Sequence, residues 1–175
     1  MVTYVNYPTT EYLDLSFLDL LCFNVYLEDR ETLEKYLARL QNIAGNRPLI
    51  LGEVGLDSIR NGLEKQAEVL EWQIQSSFKV GCSGLFVFSW TDEWYRGGEE
   101  VYDWSFGLTT KERDPKPALY SVEHTFQNMP FGLKEILWPK ISVVICTYNG
   151  SRTLRECLIG VSRLEYPDFE VILVN

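Results

Sequence analysis

Pro48-Leu49-Ile50-Leu51-Gly52-Glu53-Val54-Gly55 is the stretch on which the reading of this chain turns. A proline start, a short run of Leu and Ile, and paired glycines describe a strand buried on both faces that opens into a loop. A carboxylate at the C-terminal mouth of such a strand is poorly explained by packing. In α/β barrels the C-terminal strand ends carry the catalytic groups. Glu53 is therefore the leading candidate for chemistry, set against the plainer role of a loop-edge residue that caps the next helix. The neighbouring strands also end in polar and aromatic groups, which favours a site.

The pattern repeats outward from this strand. Residues 2–6 and 18–26 are strand candidates upstream. A helix follows over about residues 30–44, with Leu33, Tyr36, Leu37, Leu40 and Ile43 on one face and Gly45 as its stop. Downstream, Leu63, Ala67, Leu70, Ile74 and Phe78 form the stripe of a second helix that Gly81 ends. Residues 83–90 make another apolar strand, and Lys116-Pro117-Ala118 opens a last helix carrying Leu119, Tyr120, Val122 and Phe126. Apolar strands alternating with amphipathic helices predict βαβ units and a parallel sheet. Four strands are half the number that closes a barrel, and the chain starts directly on one. It reads as a piece of something larger.

The 175 residues suffice for a medium domain, and a hydrophobic content of 46% supports a core. A net charge of −9 argues against a nucleic-acid groove, which needs clustered Lys and Arg. It suits a neutral substrate such as a sugar. Five Trp and ten Tyr offer flat apolar faces to a core or to a sugar-binding cleft. Cys22, Cys82, Cys146 and Cys157 share no metal-ligand spacing, and three of them sit in or beside apolar runs, which predicts buried free thiols. There is no visible signal peptide and no run of the ~20 apolar residues that a bilayer span needs. The expectation is a soluble, cytoplasmic segment without membrane contact of its own, any membrane association being left to the larger protein.

Asn24-Val25-Tyr26, Gly52-Glu53-Val54-Gly55 and Phe88-Ser89-Trp90-Thr91-Asp92-Glu93-Trp94, in this order, resemble the second half of a clan-A glycoside hydrolase barrel, close to the family 2 β-glycosidases. Phe106-Gly107-Leu108 and Asp114-Pro115-Lys116-Pro117-Ala118 are similar to that family's tail before the final helix. The resemblance covers about residues 1–127 and implies the C-terminal half, strands 5–8, of a (β/α)8 TIM barrel. It implies a retaining reaction at O-glycosyl bonds, run by two carboxylates ~5–5.5 Å apart. Glu53 falls where the nucleophile stands, Tyr26 where a hydrogen-bond donor to it stands, and Trp90 where a platform lies under the sugar. Asn24, at a neighbouring strand end, becomes an expected substrate contact; Asp92 and Glu93, which follow the last strand, either touch substrate or lie on a solvated loop. No metal or cofactor is implied for this part. The family's acid/base glutamate follows an Asn on the fourth strand, which this sequence does not include, and Asn6 and Glu11 do not replace that pair. General-acid help is worth ~10²–10⁴ in rate, so the segment alone is expected to be inactive.

Residues 128–140, bounded by prolines, read as a linker. Beyond it, Ile141-Ser142-Val143-Val144-Ile145-Cys146-Thr147-Tyr148-Asn149-Gly150, a helix from near Arg152, and Tyr166 to Asn175 resemble the opening βαβ unit of a family 2 glycosyltransferase, which has the GT-A fold. The resemblance implies that Thr147, Tyr148 and Asn149 contact a nucleotide base. Cys146 stands where that family more often has Pro. The family's metal-binding Asp-x-Asp and acceptor base are not in the sequence, so a nucleotide sugar and a divalent metal are expected only for a complete transferase domain.

Three functions are thus open. One is a bifunctional enzyme, hydrolase joined to transferase, acting on carbohydrate. Another is a transferase whose barrel binds glycan without hydrolysing it. The third is a silent half barrel that self-associates through its open strand edges. Trp94, Tyr95, Tyr102 and Trp104 cluster in one loop, where they either pack it or line a sugar subsite. The lone His124 reads as a surface residue, and Gly97-Gly98-Glu99-Glu100 as a flexible acidic loop without metal.

Overall fold

The computed structural model describes residues 1–130 and 139–175. The chain divides into two compact units, Met1–Leu133 and Lys134–Asn175. Most of the expected linker, at 131–138, lies outside the described residues.

In the first unit β1 (Val5–Asn6), β2 (Leu21–Asn24), β3 (Leu49–Val54) and β4 (Gly84–Val87) form one parallel sheet in sequence order. Helix α1 (Arg30–Ala44) returns the chain from β2 to β3. The short α2 (Ser58–Asn61) and the long α3 (Leu63–Lys79) return it from β3 to β4. A hairpin, β5 (Tyr95–Arg96) and β6 (Glu99–Glu100), and then α4 (Pro117–Gln127) complete the unit. Parallel neighbours in chain order, with helical crossovers, are the arrangement of consecutive barrel strands.

Local chemistry accounts for the elements. Asp29 caps α1 by accepting from the Thr32 amide at 2.7 Å, and the Gly45 amide closes the other end on the Gln41 carbonyl at 3.0 Å. Between them Leu33, Leu37 and Leu40 are fully buried against Leu21, Phe23, Leu49 and Leu51 of the sheet and Leu70 and Ile74 of α3. Each such side chain contributes ~1.5–3 kcal/mol by leaving water. The strands are shorter than the apolar runs that announce them. Leu18 and Asp19, for example, leave the expected strand 18–26 to bond the carbonyls of Leu15 and Val2. Strand length is set by the partner strand, which a single run of residues does not reveal.

Strand β3 breaks strict alternation. Leu49 and Leu51 face the helices, and a plain period of two would send Glu53 the same way. The register slips instead. Phe23 pairs with Leu51 but Asn24 pairs with Glu53, and on the other edge Leu51 pairs with Leu85 but Val54 with Val87. The extra residue makes a β-bulge. Past it, Val54 joins Leu49 and Leu51 in the buried cluster, and Glu53 turns to the opposite face. A Cβ on Gly52 would lie 2.7 Å from Asn24 Oδ1 and 2.8 Å from Cys22 Sγ, so only glycine lets these side chains close over the bulge.

The second unit is a βαβ: β7 (Ile141–Cys146), α5 (Leu154–Val161) and β8 (Phe169–Val174), parallel from Ile141↔Phe169 to Cys146↔Val174. Here the thiols depart from expectation. Cys22 and Cys82 are buried, the latter with its thiol pushed up to about 12 by burial. Cys146 and Cys157 are exposed, because two strands and one helix cover little of their own surface.

Candidate active site

The bulge brings Glu53 to Tyr26, the second residue after β2. The Tyr26 hydroxyl donates to Glu53 Oε2 at 2.5 Å. Burial, reinforced by this bond, pushes the Tyr26 phenol far above its ordinary range. The raised value keeps the phenol a donor through neutral and alkaline pH. The contribution of the Tyr26 phenol is fully present below about pH 10, the ordinary tyrosine value, and is lost as pH rises from there through the higher folded value.

Both groups line a cleft of about 450 Å³ with Phe88, Trp104 and Phe106. Tyr26 meets Phe88 and Phe106 edge-on at 6.1 and 5.7 Å, and Trp104 meets Phe106 at 6.3 Å. Glu28, Asp57 and Arg60 add charge at the rim. Asp57 is committed to structure, since it accepts from the amides of Arg60 at 3.0 Å and Ser105 at 3.2 Å.

Two residues behind the cleft escape a sequence reading. Gln66 and Gln73 on α3 are both fully buried. Gln66 Nε2 donates to the carbonyls of Leu56, Ser105 and Gly107, and Gln73 Nε2 to that of Leu27. Together they tie α3 to the loops that leave β2, β3 and β4. The available signal was their place on the apolar side of α3, where a polar residue needs a buried partner.

The other expected site residues disperse. Asn24 is the register partner of Glu53, and its buried Oδ1 has no hydrogen-bond partner among the described residues. It stays a candidate substrate contact. Trp90, expected under the sugar, is 61% exposed and is not among the residues lining the Glu53 cleft, whereas Trp104, returned by the loop after the hairpin, is. Asp92 accepts from the Gly107 amide at 2.8 Å and from Lys116 Nζ at 3.1 Å on both oxygens. Glu93 is ion-paired with Arg113. These two carboxylates fasten loops. Thr147, Tyr148 and Asn149 occupy the loop after β7 in the second unit, with Tyr148 89% exposed and Asn149 at a left-handed φ of 51°. No cluster of metal-ligating side chains occurs among the described residues, nor does any helix there have the length and apolarity to cross a membrane.

Tyr26→Phe removes one hydrogen bond to Glu53 and little volume. With Glu53 as the proposed nucleophile of the whole protein, hydrolysis is expected to fall about ten- to a hundredfold in kcat, with KM nearly unchanged, because a charge-assisted bond of ~1.5–3 kcal/mol to that carboxylate is lost. Steady-state kinetics on an aryl β-glycoside check this; equal kcat values would remove Tyr26 from the site.

No protein-family model matches the sequence, and a comparison with curated proteins finds no match. Solved structures do match. The chain is similar to the β-glucuronidase of Bifidobacterium dentium, at 21% identity and a TM-score of 0.61, over 74% of this chain and 24% of that one. The Faecalibacterium prausnitzii β-glucuronidase matches at 20% and 0.58, over 73% and 25%. The glycoside hydrolase GH5_18 of Streptomyces cattleya matches at 16% and 0.56, over 89% and 44%. The chain spans about a quarter of the glucuronidases it matches. These likenesses show the fold: part of a TIM barrel of the kind glycoside hydrolases use.

Proposed function

We propose that residues 1–127 are strands 5–8 of a retaining β-glycoside hydrolase barrel, with Glu53 as its nucleophile, joined to the start of a family 2 glycosyltransferase. The observation that supports this most is the bulge at Gly52–Glu53, which turns a carboxylate into an aromatic cleft and onto a hydroxyl donor. Tyr26 holds one carboxylate oxygen and leaves the other for the anomeric carbon. Attack forms a glycosyl ester as the bond to the leaving oxygen breaks, with a proton supplied from the acid/base strand that precedes β1 in the family order. Water, deprotonated by the same acid/base, then cleaves the ester. Val5 (49% exposed) and Phe86 (65%) on the sheet's inner side suit a surface that further barrel strands cover.

The transferase part rests on residues 141–175. In the whole protein, Tyr148→Ala and Asn149→Ala are expected to weaken binding of UDP- or GDP-sugars about tenfold while leaving hydrolysis of 4-methylumbelliferyl β-glycosides unchanged. Titration calorimetry and fluorimetry on the same preparations read the two separately. Nucleotide-sugar binding unaffected by both changes would refute the transferase assignment. Transfer without hydrolysis in the whole protein would make the barrel a glycan-binding module instead.

A further inference from the structure

A second hollow, about 660 Å³, opens beside the Glu53 cleft and is built from the hairpin and the strand of residues after it. Gly97 and Gly98, at φ of 61° and 91°, form the two-residue turn that folds β5 back on β6. The hairpin is held in place. Trp94 at its root lies 5.0 Å from Phe88 and 6.1 Å from Trp104 in ring centroids, the Val101 amide bonds the Trp94 carbonyl at 2.9 Å, and Glu100 is ion-paired with Lys111.

What the hairpin presents is distinctive. Tyr95, Tyr102 and Trp104 are 56%, 77% and 44% exposed, although burying such rings would be favourable. Arg96, Glu100 and Asp103 stand among them in the same hollow. Flat apolar faces interleaved with carboxylates and a guanidinium match one ligand chemistry well: a sugar ring has an apolar C–H face and a rim of hydroxyls that pair with charged acceptors and donors. Trp104 lines this hollow and the Glu53 cleft alike, so the two adjoin at its ring.

We propose that the hairpin hollow is a further sugar subsite, and that the ligand is a β-linked oligosaccharide that runs from Glu53 across Trp104 onto Tyr102 and Tyr95. This rests on the glycosidase reading of the Glu53 cleft. It names an oligosaccharide rather than a simple glycoside as the substrate class, since a single sugar fills only the first cleft.

The test is binding and hydrolysis by the protein of β-1,3- and β-1,4-linked gluco-, xylo- and N-acetylgluco-oligosaccharides of two to six units. Affinity by titration calorimetry is expected to rise tenfold or more with length for the linkage that fits. Tyr102→Ala is expected to lose about three- to tenfold of that gain, the worth of one aromatic platform, without weakening the disaccharide. Tyr102→Phe keeps the ring and the gain. Tyr102 is so exposed that its truncation leaves the fold intact. Affinity that is flat with length, Tyr102→Ala binding as the wild type does, or no oligosaccharide bound at all would each overturn the subsite. Length-dependent binding with no cleavage would keep the subsite and overturn the hydrolase reading; cleavage with no length dependence would do the reverse.

Discussion

On the proposed role of Glu53, Glu53→Gln is expected to abolish hydrolysis of an aryl β-glycoside by the whole protein, lowering kcat by a factor on the order of 10⁴ or more. The amide matches the carboxylate in shape and still accepts from Tyr26, so the cleft stays in place. It lacks the lone-pair charge needed to attack the anomeric carbon, and no glycosyl ester forms. Stability should move by less than about 0.5 kcal/mol, since the residue lies at an open cleft. On the proposed transferase reading, nucleotide-sugar transfer should be unchanged, because residues 147–149 belong to the second unit. A variant that keeps a tenth of wild-type kcat would place the nucleophile elsewhere.

Lys116→Ala destabilises the first unit by about 3–5 kcal/mol, the cost of stranding one partner of a buried ion pair. Lys116 is 3% exposed at its side chain and Asp92 is 16% exposed. The ammonium bonds both Asp92 oxygens at 3.1 Å, Ser58 Oγ at 3.0 Å and the Ser105 carbonyl at 3.3 Å. It thereby pins the start of α2, the loop leaving β4 and the loop that returns Trp104 to a single point at the head of α4. Removing it leaves the largely covered Asp92 carboxylate without its cation, held only by the Gly107 amide. Replacing both residues by apolar ones of similar volume should recover most of the loss. Urea unfolding of the first unit's transition reads both variants; a loss under 1 kcal/mol for Lys116→Ala would mean the loops are held by other contacts.

How far the residues announced this structure depends on how local the governing physics is. Helix α1 was legible because its cap Asp29, its leucine stripe and its stop Gly45 all act within a few positions. The parallel sheet was legible because covered strands are apolar throughout, and Glu53 stood out as the polar break in one. The direction of Glu53 was not legible. Alternation from Leu49 points it at the helices, and the bulge that reverses it is a property of pairing with β2 and β4. The place of Trp104 in the cleft has the same origin: a ring far along a loop reaches it because Lys116, Asp92 and Gln66 draw that loop back. Asp92, after a barrel strand, read equally as a substrate contact or as part of a solvated loop. Its buried cation comes from the head of the last helix, 24 residues on, a pairing that no local pattern signals.

The central claim is that Glu53 attacks the anomeric carbon, and trapping the ester tests it most directly. A 2-deoxy-2-fluoro-β-glycoside with a dinitrophenolate leaving group needs no acid to depart, and its fluorine slows release of the glycosyl-enzyme. Incubated with the protein and digested, it should leave one fluoroglycosyl group on the peptide that contains Glu53, found by mass spectrometry, and none in Glu53→Gln. A label on another carboxylate, or an equal label in the variant, would contradict the account.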